Sequence, residues 1–254
     1  SVTCATFSSD GNWLVTGGAA AGFYNGPDGS LRLWEVATGN NFRTIRADGS
    51  GVSQVFISPD NTTLVNQGGS SKIRFWSVNT GSFLRQYSAE GRIDISPDWQ
   101  LIAVGTPHSQ IKILRLSDGA LLTTISGMWA VDSVAFSPDG QYLAAAEEAT
   151  PGDNLKVYRV SDWQLVRTMT GVHSSYGPKV GWTPDSQGVA ISDQNLMRIF
   201  KLSDGGLLKQ YDQETGAGLF PNLGFAFSRN GKYLALARND STVELASSPK
   251  IRRR

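Results

Sequence analysis

A chain of 254 residues with 40% apolar residues, 18% charged residues, 28 glycines and a formal net charge of +1 has a globular composition, which excludes a disordered or collagen-like chain. No stretch nears the roughly 18 apolar residues of a membrane span, residues 1–6 do not read as a signal peptide, and 23 basic against 22 acidic residues give no electrostatic footprint for nucleic acid. Cys4 is the single cysteine, so no internal disulfide forms, and a cytoplasmic setting is expected.

The chain enters directly on a strand-like run that ends at the turn Ser8-Ser9-Asp10-Gly11. Variants of that turn follow at Ser58-Pro59-Asp60-Asn61, Ser96-Pro97-Asp98-Trp99, Ser137-Pro138-Asp139-Gly140, Thr183-Pro184-Asp185-Ser186 and Ser228-Arg229-Asn230-Gly231. Their third positions are spaced by 50, 38, 41, 46 and 45 residues, a repeat that chance does not produce. Serine opens a β-turn, proline presets φ, aspartate tolerates the third position and glycine or asparagine takes positive φ, so each copy closes a hairpin. Apolar runs such as Val131-Asp132-Ser133-Val134-Ala135-Phe136 before the turn and Gln141-Tyr142-Leu143-Ala144-Ala145-Ala146 after it read as buried strands.

A third strand follows each hairpin: Leu31-Arg32-Leu33-Trp34, Ile73-Arg74-Phe75-Trp76, Ile111-Lys112-Ile113-Leu114, Leu155-Lys156-Val157-Tyr158, Met197-Arg198-Ile199-Phe200 and Val243-Glu244-Leu245-Ala246. Alternation of apolar and charged residues marks it as half-exposed. A turn signal such as Thr38-Gly39 or Asp118-Gly119 comes next, and then a fourth alternating run. Four antiparallel strands per repeat make an all-β chain, a β-propeller over residues 1–254. Its six blades fall at about 1–46, 51–88, 91–126, 130–170, 178–211 and 222–254. The last blade shows three strands, so the expectation is a piece of a larger propeller of seven blades, in a longer chain with further domains fused to it.

The stretches Trp34-Glu35-Val36-Ala37-Thr38-Gly39 and Trp76-Ser77-Val78-Asn79-Thr80-Gly81, with the Ser-Pro-Asp-Gly hairpins, resemble WD-repeat (tryptophan-aspartate) β-propellers across nearly the whole chain. Gly17-Gly18 and Gly68-Gly69 are similar to kelch repeats, and the hairpin also occurs in TolB-type and peptidase-gating propellers, but the tryptophan-ended strands favour the WD family. The resemblance implies that an aspartate before the third strand and the tryptophan within it join a histidine in a network holding each blade. Asp28, Asp153 and Asp240 match the aspartate position, and Trp34 and Trp76 the tryptophan. His173 fits the histidine position, but its blade carries Phe200 in place of tryptophan, and His108 stands where aspartate is expected, so the pattern is divergent.

Two histidines and one cysteine leave no zinc motif, and neither a Walker loop nor a Gly-x-Ser-x-Gly elbow is present, so no enzyme activity, metal or cofactor is expected. Repetition assigns Asp28, Asp153, Asp193 and Asp240 to turns, Glu147 and Glu148 read as a solvated face, and residues 250–254 as a solvated boundary. The loops that enter the first strand and join the second to the third share one rim, and insertions there are rich in aromatics. Phe23, Tyr24, Trp129, Tyr176 and Phe220, with His173, are the expected docking residues for a protein or peptide. The function expected is a non-catalytic interaction scaffold or sensor, with no membrane or nucleic-acid partner. The alternatives are a substrate-gating propeller of a larger hydrolase and a propeller that binds a small ligand or glycan.

Overall fold

Positive φ recurs at the fourth position of each repeated turn: Gly11 at 76°, Asn61 at 57°, Trp99 at 60°, Gly140 at 72°, Ser186 at 59° and Gly231 at 65°. Trp99 and Ser186 take a conformation that costs an ordinary L-residue about 1–2 kcal/mol. A side-chain relay holds it in place. The hydroxyl of the first residue donates to the carboxylate two positions on, at 2.5 Å in Ser8–Asp10, Ser58–Asp60 and Ser96–Asp98 and 2.6 Å in Ser137–Asp139 and Thr183–Asp185. The same hydroxyl accepts the N–H that opens the next strand, at 2.9 Å from Trp13, Thr63, Leu101 and Tyr142 and 2.8 Å from Gly188 and Tyr233. The carboxylate also caps the N–H before that one, as in Asn12 to Asp10 at 3.0 Å. In the sixth copy Asn230 does the same work, accepting from Ser228 at 2.8 Å and from the Lys232 N–H at 3.0 Å.

The computed structural model describes residues 2–19, 29–47, 49, 51–148, 155–169, 177–193, 196–212, 224–237 and 242–249. Blade 1 is β1 (Val2–Phe7), β2 (Trp13–Gly18), β3 (Ser30–Glu35) and β4 (Asn41–Arg46), and blade 2 is β5 (Val52–Ile57), β6 (Thr63–Gly68), β7 (Lys72–Ser77) and β8 (Phe83–Ser88). Blade 3 is β9 (Arg92–Ile95), β10 (Leu101–Thr106), β11 (Gln110–Arg115) and β12 (Leu121–Ser126), and blade 4 is β13 (Ala130–Phe136), β14 (Tyr142–Glu148), β15 (Leu155–Arg159) and β16 (Leu165–Met169). Blade 5 is β17 (Lys179–Trp182), β18 (Gly188–Asp193), β19 (Leu196–Lys201) and β20 (Leu207–Asp212), and blade 6 is β21 (Phe225–Phe227), β22 (Tyr233–Ala237) and β23 (Val243–Ser247). Each blade is an antiparallel sheet in chain order, five with four strands and the sixth with three among the described residues. The fold is an all-β propeller of six blades. Two compact units divide it, Ser1–Glu90 with blades 1 and 2 and Gly91–Arg254 with blades 3 to 6.

Within each unit, consecutive blades bury the apolar face of one third strand against the next blade. Leu31 and Leu33 cluster with Val52 and Val55. Ile111 and Ile113 cluster with Val131 and Val134, Leu155 and Val157 with Trp182 and Val189, and Met197 and Ile199 with Leu234 and Leu236. Burial of each such side chain contributes about 1.5–3 kcal/mol. Outer strands add polar links: Arg43 donates to the Asn79 carbonyl at 2.6 Å and the Thr80 carbonyl at 3.2 Å, and Arg167 to the Ser203 carbonyl at 2.7 Å.

The first strands are also stitched blade to blade, with a different chemistry at each seam. The Thr3 hydroxyl donates to the Val52 carbonyl, the Val180 N–H donates to Ser133 Oγ at 3.1 Å, and Trp182 Nε1 donates to the Ala135 carbonyl at 2.9 Å. Asp94 Oδ2 accepts the Phe136 N–H at 2.7 Å. Asp94 is partly exposed as a residue, yet its carboxyl group is shut away from water, and this desolvation pushes its pKa up to about 7 against the pull of the Phe136 and Ile95 N–H groups.

These carboxylates act at opposite ends of the pH scale. Asp10 is held down to about 2, first by the Ser8 hydroxyl, and Asp60 is lowered first by Ser58. Their contribution is therefore present above the unfolded carboxylate pKa of about 4 and is lost as pH falls through the folded value. Because Asn230 already fills this role, Asp10→Asn with Asp60→Asn should keep the hairpins and flatten the fall of the urea midpoint between pH 4 and pH 2. An unchanged acid slope would contradict the relay. Asp94 has the reverse sign: its raised pKa gives stability that is full below about pH 4 and lost as pH rises through 7. Asp94→Asn keeps an acceptor for Phe136 without ionising, so it should stabilise the protein at pH 8 by roughly 1–3 kcal/mol and change little at pH 4 in urea titrations.

Candidate interaction surface

The loop entering blade 4 is anchored at two successive residues. Met128 is 6% exposed and belongs to the core cluster shared by blades 3 and 4, while the Trp129 N–H donates to Glu147 Oε2 at 2.9 Å. The indole of Trp129 nonetheless stands 66% exposed. Fixed backbone and free ring make a pre-organised aromatic, the kind of group that contributes contact area at small entropic cost.

Glu147 is the hub of this anchor. Register places it opposite Val131 at the end of the β13–β14 hairpin, and it is 1% exposed. Lys156 Nζ approaches its Oε1 at 2.6 Å and donates to the Gly127 carbonyl at 3.4 Å, tying β15 to the same loop. Burial, and then the Glu147 charge, push the nearby Tyr158 hydroxyl up to about 12. The expectation of a solvated face at this position is thus corrected for Glu147. A carboxylate this buried is stable because a cation and a backbone N–H meet it, and neither partner is a sequence neighbour.

Trp34 and Trp76 lie on the third strands of blades 1 and 2. The Trp34 indole donates to Thr16 Oγ1 at 3.0 Å and the Trp76 indole to Asn66 Oδ1 at 2.7 Å, in each case reaching back to the second strand. Phe23, Tyr24, Asp28, Asp153, His173, Tyr176, Phe220 and Asp240 lie outside the described residues. Of the docking residues expected from sequence, Trp129 is therefore the one whose surroundings are visible. Sequence reasoning passed over Lys156 and Asp94; a basic residue stands at the same position of five third strands, Arg32, Arg74, Lys112, Lys156 and Arg198, so Lys156 gave no sign of a buried pair.

On the opposite rim, a cavity of about 790 Å³ lies between the hairpins of blades 4 and 5, lined by residues that include Pro138, Tyr142, Arg167, Asp185 and Ser203. Tyr142 stacks on Trp182 there, with centroids 6.1 Å apart. Among the described residues no group of three or more His, Cys, Asp or Glu side chains could hold a metal ion, and no helix is long and apolar enough to cross a membrane.

The WD domain, G-beta repeat family matches residues 1–35 and 119–154, which cover the first three strands of blade 1, the fourth strand of blade 3 and the first hairpin of blade 4. Apoptotic protease-activating factor 1 of Rattus norvegicus is 29% identical over 134 residues, 47% of this chain and 11% of the relative. WD repeat-containing protein SL1-17 of Schistosoma mansoni is 26% identical over 125 residues, 48% of this chain and 42% of the relative. The transcriptional corepressor LEUNIG_HOMOLOG of Arabidopsis thaliana is 24% identical over 216 residues, 82% of this chain and 26% of the relative. The chain thus spans from about a tenth to less than half of the length of these relatives. Repeated hairpins, blades that pair strand by strand in chain order, and these matches agree: the chain is similar to WD-repeat β-propellers, with a divergent repeat pattern.

Proposed function

We propose that this chain is a non-catalytic interaction scaffold that docks a protein or peptide on the rim where Trp129 stands. The observation that carries the reading is the 66% exposed indole on a backbone pinned by Met128 and Glu147. A solvent-facing tryptophan whose main-chain N–H is bonded to a buried carboxylate suits a hot spot, since less ordering remains to be done on binding. Phe23, Tyr24, His173, Tyr176 and Phe220 belong to loops of the same rim and extend the surface in this proposal. Relatives named as a WD repeat-containing protein and as a transcriptional corepressor support binding rather than catalysis, and an intracellular setting. The fraction of each relative that is matched supports a module within a longer chain carrying other domains.

Trp129→Ala should lower the affinity for captured partners by at least about tenfold while the thermal midpoint stays put, as expected of a hot-spot truncation. Quantitative affinity capture beside thermal unfolding reads both, and undiminished capture would remove this rim from consideration. The anchor has its own test. Glu147→Ala strands the Lys156 cation and the Trp129 N–H, and should destabilise the protein by about 3–5 kcal/mol. Denaturant titration measures that loss, and spectrophotometric titration should show Tyr158 ionising at lower pH than its present value of about 12.

A further inference from the structure

In the second unit the first strands of successive blades lie side by side, with β13 packed against both β9 and β17. Counting back six residues from the aspartate of each hairpin marks one level of these strands: Arg92 in β9, Ser133 in β13 and Lys179 in β17. The ladders agree with that count, since the three residues lie opposite Gly105, Ala146 and Ser192 at matching places of their second strands. The Val180 N–H, next to Lys179, donates to Ser133 Oγ and so joins β13 to β17 at this level. In blade 6 the same count from Asn230 reaches Gly224, where an added Cβ would stand 3.8 Å from Lys179 Nζ, so the ammonium extends to the entry of the next blade.

Both cations sit on a restricted backbone. Gly91, before Arg92, has a φ of 121°, and a Cβ there would collide with the Gly105 carbonyl oxygen; Pro178, before Lys179, is buried. Nearby carboxylates are engaged elsewhere, Asp94 with the Phe136 N–H and Glu147 with Lys156 and the Trp129 N–H. Among the described residues no ion pair joins Arg92 or Lys179 to a carboxylate. Asp132 stands in the β13 bulge beside Ser133, yet the charge that acts on Lys179 is that of Arg92: burial pushes the Lys179 ammonium below the ordinary lysine value, and the Arg92 cation pushes it further the same way. Like charges held together, one of them half-buried, cost stability, and an anion set against both would offset that cost. Trp129 directly precedes β13, on the same rim and between the blades that carry the two cations.

We infer that the partner of this rim is an acidic peptide segment, whose carboxylates lie against Arg92 and Lys179 while a neighbouring apolar residue covers the Trp129 indole. The inference rests on the docking role proposed for Trp129 and adds the chemistry of the partner. Arginine offers a carboxylate a two-pronged donor and lysine a compact point charge, so the pair sets orientation as well as sign.

The test titrates the full chain against two dye-labelled peptides, acetyl-Gly-Glu-Asp-Leu-Glu-Asp-Gly-amide and its counterpart with lysine at the four acidic positions, in fluorescence anisotropy. The acidic peptide should bind saturably, about tenfold more tightly than the basic one, and more weakly as salt rises. Arg92→Gln and Lys179→Gln should each weaken it about tenfold. Lys179→Gln should leave the thermal midpoint unchanged or higher, because it removes a desolvated and repelled cation, an outcome that a merely structural lysine would not give. Absence of binding, no preference for the acidic peptide, or a preference untouched by both substitutions would overturn the proposal. Trp129→Ala separates the two readings. Acidic binding that survives it and is lost in the glutamine variants keeps the cation site and removes the indole; binding lost in Trp129→Ala and intact in both glutamine variants keeps the indole and overturns the cation site.

Discussion

A single hydroxyl group, repeated six times, holds this propeller in register. In each hairpin it donates to a carboxylate or amide oxygen two residues on and accepts the N–H that starts the second strand, so one oxygen fixes both the turn and the first pair of the ladder. Ser137 is wholly buried and Thr183 nearly so, which makes this relay a buried polar network whose members are mutually satisfied. A slip of one residue would turn every apolar side chain of the hairpin to the wrong face. The relay resists that slip because the acceptor oxygen would then meet no donor.

Between blades the same geometry recurs with changing chemistry. A threonine hydroxyl, a carboxylate, a serine hydroxyl and an indole each bridge one first strand to the next. In a repeat protein each interface contributes almost separately to stability, so the seams can diverge one at a time while the strand arrangement is kept. Asp94 shows what such drift can install: a carboxyl group with its pKa pushed up to about 7 by desolvation, which makes this seam sensitive to pH in the physiological range. The arginine links of Arg43 and Arg167 tie outer strands to the next blade's turn by a third, exposed route.

The hairpins were legible in the sequence because a tight turn is a local demand: positive φ at one position and a proline before it restrict the residue types, and the restriction repeats at a visible period. Trp99 and Ser186 still satisfied the pattern because their three companions carried it. The relay was less legible, since serine and aspartate are ordinary turn formers and nothing local says that their side chains bond each other. Glu147 was misread for a similar reason. Beside Glu148 at a strand end it looks solvated, and what buries it, Lys156 and the Trp129 backbone, arrives from 9 residues ahead and 18 behind. Pairwise burial of charge is a property of the folded register, which no single window contains. The WD resemblance was carried by Trp34 and Trp76, whose indoles do reach the second strand, although the histidine and aspartate members of the family network fall outside the described residues.

Trp129 presents a large ring on a backbone bonded to Glu147, and that presentation is costly to distort, because moving the loop would strip a buried carboxylate of its N–H donor. Such a surface recognises shape, and tolerates varied sequences that can cover an indole.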